Sequence, residues 1–215
     1  DFDQDPARAL GRAPKVDALV HGDAGAALLA FATSQQLGET PGIAWRRGAR
    51  RSSVVLQASG APLPLAELPW PARHLLDNAR YVRGDVGRPQ TVVLTARGCP
   101  NHCSYCLVPV KTGSRYEQRS PEEVVDEVVA IRDELGIRDV FFHADTFTLH
   151  RAWVLALCAQ LEARAPEVSW TCNSRVDSLD DERAQAMAAA GCWGVSLGLE
   201  SGSDETLRRV GKRAT

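Results

Sequence analysis

The second half of the chain alternates short apolar runs with longer amphipathic stretches. The apolar runs stand at 91–96 (TVVLTA), 139–144 (DVFFHA), 168–172 (VSWTC) and 193–199 (WGVSLGL), and a stretch of helical periodicity follows each. Such a series predicts strand–helix units whose strands form a parallel sheet with right-handed crossovers. Ser120, Pro121 and Glu123 form a capping-box pattern that marks where the first of these helices begins. We therefore predict an α/β fold of barrel or doubly wound type, with its chemistry at the carboxyl ends of the strands.

The first ninety residues follow different patterns. Val16 to Val20 predicts a short strand, which a turn at Gly22 connects to a helix that ends near Gly38. Apolar and basic residues alternate on either side of Gly48, which predicts a two-stranded hairpin with solvated arginines. Four prolines between positions 62 and 71 predict an extended connector. We divide the chain into residues 1–41, 42–90 and 91–215.

Composition and charge exclude several classes of protein. The chain has 25 Lys and Arg against 27 Asp and Glu, so no overall charge favours nucleic acid as a partner. The apolar run at 24–32 is far shorter than the ~20 residues of a membrane span. We expect a cytoplasmic protein without a membrane span. Because the chain lacks an initiator methionine and ends at RRVGKRAT, we also expect it to be a fragment.

Three cysteines, Cys99, Cys103 and Cys106, are bunched just after the first predicted strand of the repeat. In a reducing compartment a bunch of this kind indicates metal or redox chemistry. A structural zinc site would need a fourth ligand, and the neighbouring His102 is adjacent to Cys103 and poorly placed to turn to the same metal. An iron–sulfur cubane would need a distant thiol, for which Cys172 is the candidate, or would keep one iron open for a substrate.

The spacing C-x3-C-x2-C after a strand, with Tyr105 just before the third cysteine, resembles the radical S-adenosylmethionine superfamily. The resemblance implies a [4Fe-4S] cluster on Cys99, Cys103 and Cys106, with an open iron that chelates the amino and carboxylate groups of S-adenosylmethionine. One electron would then cleave the sulfonium and release a 5′-deoxyadenosyl radical. A small-molecule substrate and an electron donor such as flavodoxin or ferredoxin are implied as partners.

Further stretches narrow the resemblance to one group within that superfamily. RSPEEVVDEV, FFHADTFT, CNSRVD and GVSLGLESGSDETL resemble the radical enzymes with an N-terminal cobalamin-binding domain, namely the anaerobic porphyrin-ester cyclases and related methyltransferases. By this resemblance residues 91–215 form four of the six units of a radical-enzyme barrel, and residues 1–41 the last βα unit of a cobalamin-type domain. Cobalamin would then belong to a longer protein, since His21 does not stand in a cobalamin-binding motif.

The resemblance also implies a pocket for S-adenosylmethionine. Tyr105 would pack by the adenine, Asp145 would meet the amino group or ribose, and Arg175 would lie near the carboxylate. Glu200 and Ser201 would line the same pocket. No residue is assigned a catalytic role beyond these.

The residues themselves leave simpler interpretations open. Asp145 could cap the following helix, Arg175 could pair with Asp177 at the surface, and Glu200 could precede a turn. His143, in an apolar strand, is expected to be a core histidine.

Two other functions also remain open. One is a methylthiotransferase of tRNA or protein, which would need an additional N-terminal domain with three cysteines, whereas residues 1–90 have none. The other is a non-enzymatic interaction domain that zinc or a cluster stabilises.

Overall fold

A computed structural model describes residues 5–22, 24–34, 36–47, 53–58, 62–212 and 214. The chain forms two compact units, Asp1–Leu68 and Pro69–Thr215. The division falls inside the proline-rich stretch, whereas the sequence pattern divided the chain after residues 41 and 90. Within the described ranges, no helix combines the length and the apolar character that crossing a membrane requires.

The first unit is built around a small antiparallel sheet. β1 (Ala18–Val20) pairs with β2 (Ile43–Arg47). β2 also pairs antiparallel with β3 (Ser53–Leu56), which confirms the predicted hairpin. β1 and the two strands of the hairpin thus belong to one sheet. Position 48, where the hairpin turn was expected, lies outside the described residues. The elements are α1 (Pro6–Arg12), β1 (Ala18–Val20), α2 (Ala24–Ser34), β2 (Ile43–Arg47) and β3 (Ser53–Leu56), with 3-10 turns at Leu37–Glu39 and Leu65–Glu67.

One hairpin arginine is a cap and not a solvated side chain. The Arg46 guanidinium donates to the carbonyl oxygens of Leu10 and Ala13 at the end of α1, and its Nε donates to Val16 O at 3.2 Å. A cation that satisfies the last carbonyls of a helix also opposes the negative end of the helix dipole. Arg46 therefore fixes α1 against the sheet of this unit.

The second unit contains the predicted parallel sheet, which curls into a half barrel. The strands of this unit are β4 (Val82–Arg83), β5 (Arg88–Leu94), β6 (Ala96–Arg97), β7 (Glu117–Gln118), β8 (Asp139–His143), β9 (Ser169–Arg175) and β10 (Cys192–Gly198). The order in the sheet is β10-β9-β8-β5-β4, in which β5, β8, β9 and β10 are parallel and β4 is an antiparallel edge strand. The helices are α3 (Val108–Lys111), α4 (Pro121–Leu135), α5 (Arg151–Arg164), α6 (Asp181–Ala189) and α7 (Asp204–Arg209).

The helix after the cysteines begins as its sequence predicts. The Ser120 side chain accepts from the Glu123 backbone N–H, and the Glu123 carboxylate accepts from the Ser120 backbone N–H at 2.9 Å. Gly136 ends α4 in the left-handed conformation, with φ of 67°. The predicted capping box is thus confirmed.

The core lies between the sheet and the helices on one of its faces. Phe142, Phe147 and Trp170 are fully buried there, with ring centroids 5.0–5.7 Å apart. Along β8, Val140 and Phe142 face this core, so the alternate residue His143 lies on the opposite face and is exposed. The expectation that His143 is a core histidine was therefore wrong, because apolar neighbours along a strand do not determine which face a residue takes.

A buried ion network attaches the segment around Arg73 to the half barrel. Arg73 Nη2 lies 2.7 Å from Glu127 Oε1, and Arg119 Nη1 lies 2.5 Å from Glu127 Oε2. Arg73 Nη2 also donates to Val92 O in β5 at 2.6 Å. Glu127 is only 1 % exposed, so these two guanidinium groups compensate its carboxylate for the loss of solvent.

We expect Glu127→Gln to lower the free energy of unfolding by roughly 3–5 kcal/mol, because it leaves two buried guanidinium groups without a counterion. Glu122→Gln, on the exposed face of the same helix, should change that free energy by less than ~0.5 kcal/mol. Denaturant titration of both variants measures the difference. Equal losses in the two variants would contradict the network's role.

Candidate functional site

The three clustered cysteines lie in one loop that a short ladder closes. We call residues 98–116 the cysteine loop. β6 and β7 flank it and pair antiparallel, with Ala96 opposite Gln118 and Arg97 opposite Glu117. Arg97 Nη2 and Glu117 Oε2 form an ion pair at 2.8 Å. The loop therefore starts and ends at one place beside the carboxyl end of β5.

The two backbone segments that close the loop, 98–99 and 113–115, form a neck that is too narrow for a side chain at Gly98. Gly98 has φ of +80°, and a Cβ atom at this position would lie 2.0 Å from the carbonyl oxygen of Arg115. One residue further on, the Cys99 N–H donates to Gly113 O at 3.4 Å. Only glycine combines this backbone conformation with this close approach of two backbone segments.

Asp145 contacts the same neck. It follows β8, and its Oδ2 accepts from the Gly98 N–H at 2.8 Å and from the Thr112 hydroxyl at 3.3 Å. The N-cap position of α5 is occupied by His150, so the interpretation of Asp145 as the cap of that helix was wrong. The carboxylate instead touches the beginning and the end of the cysteine loop.

Each sulfur of the loop faces an N–H donor. Asn101 Nδ2 lies 3.3 Å from Cys99 Sγ, and the Val108 backbone N–H lies 3.5 Å from Cys106 Sγ. Arg175 Nη1 lies 3.6 Å from Cys103 Sγ. Hydrogen bonds to the sulfurs are among the contacts by which proteins tune iron–sulfur clusters. This donor set therefore fits a cluster held by three thiolates.

The environment of the loop sulfurs is mostly enclosed. Cys99 and Cys103 are each 9 % exposed, whereas Cys106 is more accessible. Across the part of the chain that the structure describes, no three His, Cys, Asp or Glu side chains are close enough together to hold one metal ion. A cubane does not need such a grouping, because each of its thiolates binds a different iron.

The structure does not bring Cys172 to the other three. Cys172 is fully buried in the helix-facing core, beside Cys192. The hydrogen bond with Cys192, together with burial, raises the pKa of the Cys172 thiol. Burial also raises the pKa of the neighbouring Cys158 to about 12. These thiols have the surroundings of inert core cysteines, which removes the candidate for a distant fourth ligand.

Arg175 is the last residue of β9 and lies against the cysteine loop. Its Nη2 lies 2.5 Å from Asp177 Oδ2, so the pairing expected from the residues is present. This hydrogen bond raises the pKa of Arg175 and lowers that of Asp177. Because Arg175 Nη1 also points at Cys103 Sγ, the pair belongs to the site.

Glu200 follows β10 in an unusual backbone conformation. Its φ is 63°, in the left-handed region that non-glycine residues seldom adopt. Lys212 Nζ donates to Gly198 O at 2.7 Å and to Glu200 Oε1 at 3.1 Å. Lys212 is only 3 % exposed, so its ammonium group depends on these two partners. The lysine thus fixes where the Glu200 carboxylate lies.

Tyr105 lies next to Glu200, and Ser201 lies in the following turn. Burial raises the pKa of Tyr105, and the nearby Cys103 and Glu200 raise it further. Ser201 Oγ accepts from the Ser203 N–H at 3.1 Å, which places it in the turn before α7. The structure therefore brings Tyr105, Glu200 and Cys103 together, while the contact recorded for the Ser201 side chain is within its own turn.

The site includes residues that the sequence analysis did not assign. Lys212 holds Glu200, and the cysteine loop leans on the end of α7, where the Ser104 N–H donates to Val210 O at 2.9 Å. Gly211 has φ of +71°, and a Cβ atom there would lie 3.2 Å from His102 O. A glycine after a helix is a recognisable C-cap signal, and it could have directed attention to this segment.

Comparisons with known proteins agree with this geometry. The family model of the Radical SAM superfamily matches residues 93–215. An uncharacterized methyltransferase of Pyrococcus horikoshii is 36% identical over 149 residues, which are 69% of this chain and 32% of that protein. The anaerobic magnesium-protoporphyrin IX monomethyl ester cyclase of Rubrivivax gelatinosus is 29% identical over 215 residues, which are 96% of this chain and 38% of the cyclase.

A solved structure shows the same fold. The radical S-adenosylmethionine methyltransferase TsrM from Kitasatospora setae superimposes with a TM-score of 0.76 at 23% identity, covering 100% of this chain and 45% of TsrM. The half barrel, with three cysteines in a loop beside its first parallel strand, is the part of the chain that the family model matches. The chain belongs to the Radical SAM superfamily, and it spans about a third of the length of the curated relatives it matches.

We expect Gly98→Ala to prevent the neck from closing, because the added methyl group would lie on the Arg115 carbonyl. Gly136→Ala is the matched control, since Gly136 has φ of +67° but no atom within 4 Å of the new Cβ. The control should lose about 1 kcal/mol of stability, the typical cost of left-handed backbone at a non-glycine residue. Iron content after anaerobic reconstitution should fall sharply in Gly98→Ala alone. Equal iron in both variants would contradict the proposed neck.

Proposed function

We propose that this chain is the core of a radical S-adenosylmethionine enzyme, with Cys99, Cys103 and Cys106 as ligands of a [4Fe-4S] cluster. The closed cysteine loop carries this proposal, because its three sulfurs each face an N–H donor at the carboxyl edge of a parallel sheet. The cluster would supply one electron to the sulfonium of S-adenosylmethionine, so that a C–S bond breaks to give methionine and a 5′-deoxyadenosyl radical.

The surrounding side chains suit the binding of S-adenosylmethionine. Arg175, beside Cys103, would meet the carboxylate of the cofactor, and Tyr105 would pack against the adenine. Glu200, fixed by Lys212, and Ser201 would line the same pocket. Asp145 was expected to meet the amino group or ribose, but its two hydrogen bonds to the cysteine loop favour another role.

For the whole protein we propose methylation or cyclisation of a small-molecule substrate. The matched relatives named as a methyltransferase and as a porphyrin-ester cyclase support these two reaction types. The TsrM structure is described with cobalamin bound, which supports cobalamin as a further cofactor of the longer protein. Residues 1–41 would be the last part of that cobalamin-type domain, and residues 42–90 the hairpin and linker. A flavodoxin or ferredoxin would supply the electron in the cytoplasm.

Reconstituted protein should bind about four irons, as a cubane requires. In the longer protein, dithionite and S-adenosylmethionine should give 5′-deoxyadenosine even without substrate, because the cleavage needs only a reduced cluster and a bound sulfonium. The 5′-deoxyadenosyl radical would then take a hydrogen atom from the reductant or the buffer. Cys106→Ala should abolish the product, whereas Cys158→Ala, which removes a core thiol, should retain the cluster and its product. Chromatography of the nucleoside and iron analysis provide the measurements. Colourless wild-type protein with one zinc per chain would instead support the interaction-domain alternative.

Glu200→Gln should weaken the binding of S-adenosylmethionine without changing the iron content, because Glu200 is not a proposed metal ligand. The loss of one charged hydrogen-bond partner predicts an increase in Kd on the order of ten-fold or more. Glu205→Gln, on the exposed side of α7, is the matched control and should bind as the wild type does. Calorimetric titration measures both. Loss of iron from Glu200→Gln would point to a structural role.

A further inference from the structure

One carboxylate oxygen spans the neck of the cysteine loop. Asp145 Oδ2 lies 2.8 Å from the Gly98 nitrogen, where the loop begins, and 3.3 Å from the Thr112 hydroxyl, near its end. The three cysteines all lie between these two positions in the sequence. The same hydroxyl is 3.2 Å from Val108 O and has a single proton, so the Gly98 hydrogen bond is the firmer of the two.

The sheet fixes Asp145 in this position. β5 and β8 are parallel neighbours with Leu94 opposite His143, so their carboxyl ends meet at one edge. Thr95 continues the pairing, because its backbone N–H donates to His143 O at 2.9 Å. Asp145 and Gly98, a few residues beyond these partners, are thus brought together by the strand register.

The residue after Asp145 is anchored in the same way. Thr146 Oγ1 lies 3.7 Å from Cys99 Sγ, and the Tyr116 hydroxyl donates to Thr146 O at 3.1 Å. Tyr116 is the last residue of the cysteine loop, so this pair also joins the loop's two ends to the segment after β8. Asp145 and Thr146 therefore each contact both the beginning and the end of the cysteine loop.

We propose that Asp145 is a positioning residue that clasps the neck of the cysteine loop and presents the three sulfurs for cluster assembly. It acts as a hydrogen-bond acceptor, and its negative charge is not required. This is a different role from binding the amino group of S-adenosylmethionine. The proposal rests on the proposed function for the iron measurements, but the clasp itself is tested in protein without iron.

The first experiment measures backbone hydrogen exchange in the cluster-free chain. Asp145→Ala should remove the acceptor and speed exchange at the Gly98 amide by about ten-fold, the effect expected for one lost, partly buried hydrogen bond. Asp145→Asn should keep the wild-type rate, because a single amide oxygen can accept both hydrogen bonds as Oδ2 does. Asp133→Ala, at an exposed aspartate of α4, is the control for the loss of a carboxylate.

The second experiment measures iron release from the reconstituted chain to a ferrous chelator without oxygen. Asp145→Ala should release iron about ten-fold faster than the wild type, because the clasp contributes one partly buried hydrogen bond to the Gly98 amide. Asp145→Asn and Asp133→Ala should release it at the wild-type rate. Asp145→Asn should also bind S-adenosylmethionine with unchanged affinity.

Several outcomes would overturn the clasp. One is wild-type exchange at Gly98 in Asp145→Ala, and another is equal damage in the Asn and Ala variants, which would assign the effect to charge. Weakened cofactor binding in Asp145→Asn would assign the carboxylate to S-adenosylmethionine.

If Asp145→Ala does not fold, Thr112→Val tests the clasp from its other end. This exposed position should tolerate valine. Iron release should rise by roughly two-fold or more, because a weaker hydrogen bond is lost. An unchanged rate of iron release in Thr112→Val would show that Asp145 does not hold both ends of the cysteine loop, and it would overturn the clasp. Wild-type protein that takes up no cubane would contradict the proposed function, while the exchange result would still stand.

Discussion

The candidate site depends on the close approach of Gly98 to the carbonyl of Arg115. No other residue type allows the two backbone segments to come this close with φ of +80° at the first of them. This approach lets the Cys99 N–H donate a hydrogen bond to Gly113 O. It also lets β6 and β7 pair, although each strand has only two residues. Two-residue strands have little stability of their own, so the ladder and the neck stabilise each other. Three thiols can therefore occupy defined positions in a loop that has only one short helix.

The rest of the site comes from the geometry of parallel strands. Because β5, β8, β9 and β10 all end at one edge, residues far apart in sequence meet around the cysteine loop. Asp145 follows β8, Arg175 ends β9, and Glu200 follows β10. Two ion pairs stand at this edge, Arg175 with Asp177 and Lys212 with Glu200. Pairing lets charged groups remain in a partly buried place without the full cost of desolvation.

The sequence predicted the repeated strands and helices well, because each depends on local periodicity and capping. The capping box of α4 and the four parallel strands were confirmed. The face on which His143 lies was not predictable, since alternation within an apolar run is ambiguous until the strand is packed. The contact of Asp145 with Gly98 depends on the register between β5 and β8, which local patterns do not contain. Lys212 was not assigned to the site, because a buried lysine after a helix has no periodic signature.

The three sulfurs differ in their contacts and in their exposure, and this difference distinguishes two sides of the site. Cys99 and Cys103 have contacts from outside the loop, through Thr146 after β8 and Arg175 in β9. The hydrogen bond recorded for Cys106 comes from Val108 within the loop, and Cys106 is more exposed than the other two. The sheet thus holds the side of the sulfur set that Cys99 and Cys103 form, whereas Cys106 remains more accessible. Tyr105 and Glu200, which we propose for the S-adenosylmethionine pocket, lie beside Cys103, so the cofactor would meet the cluster next to the sulfur that Arg175 contacts.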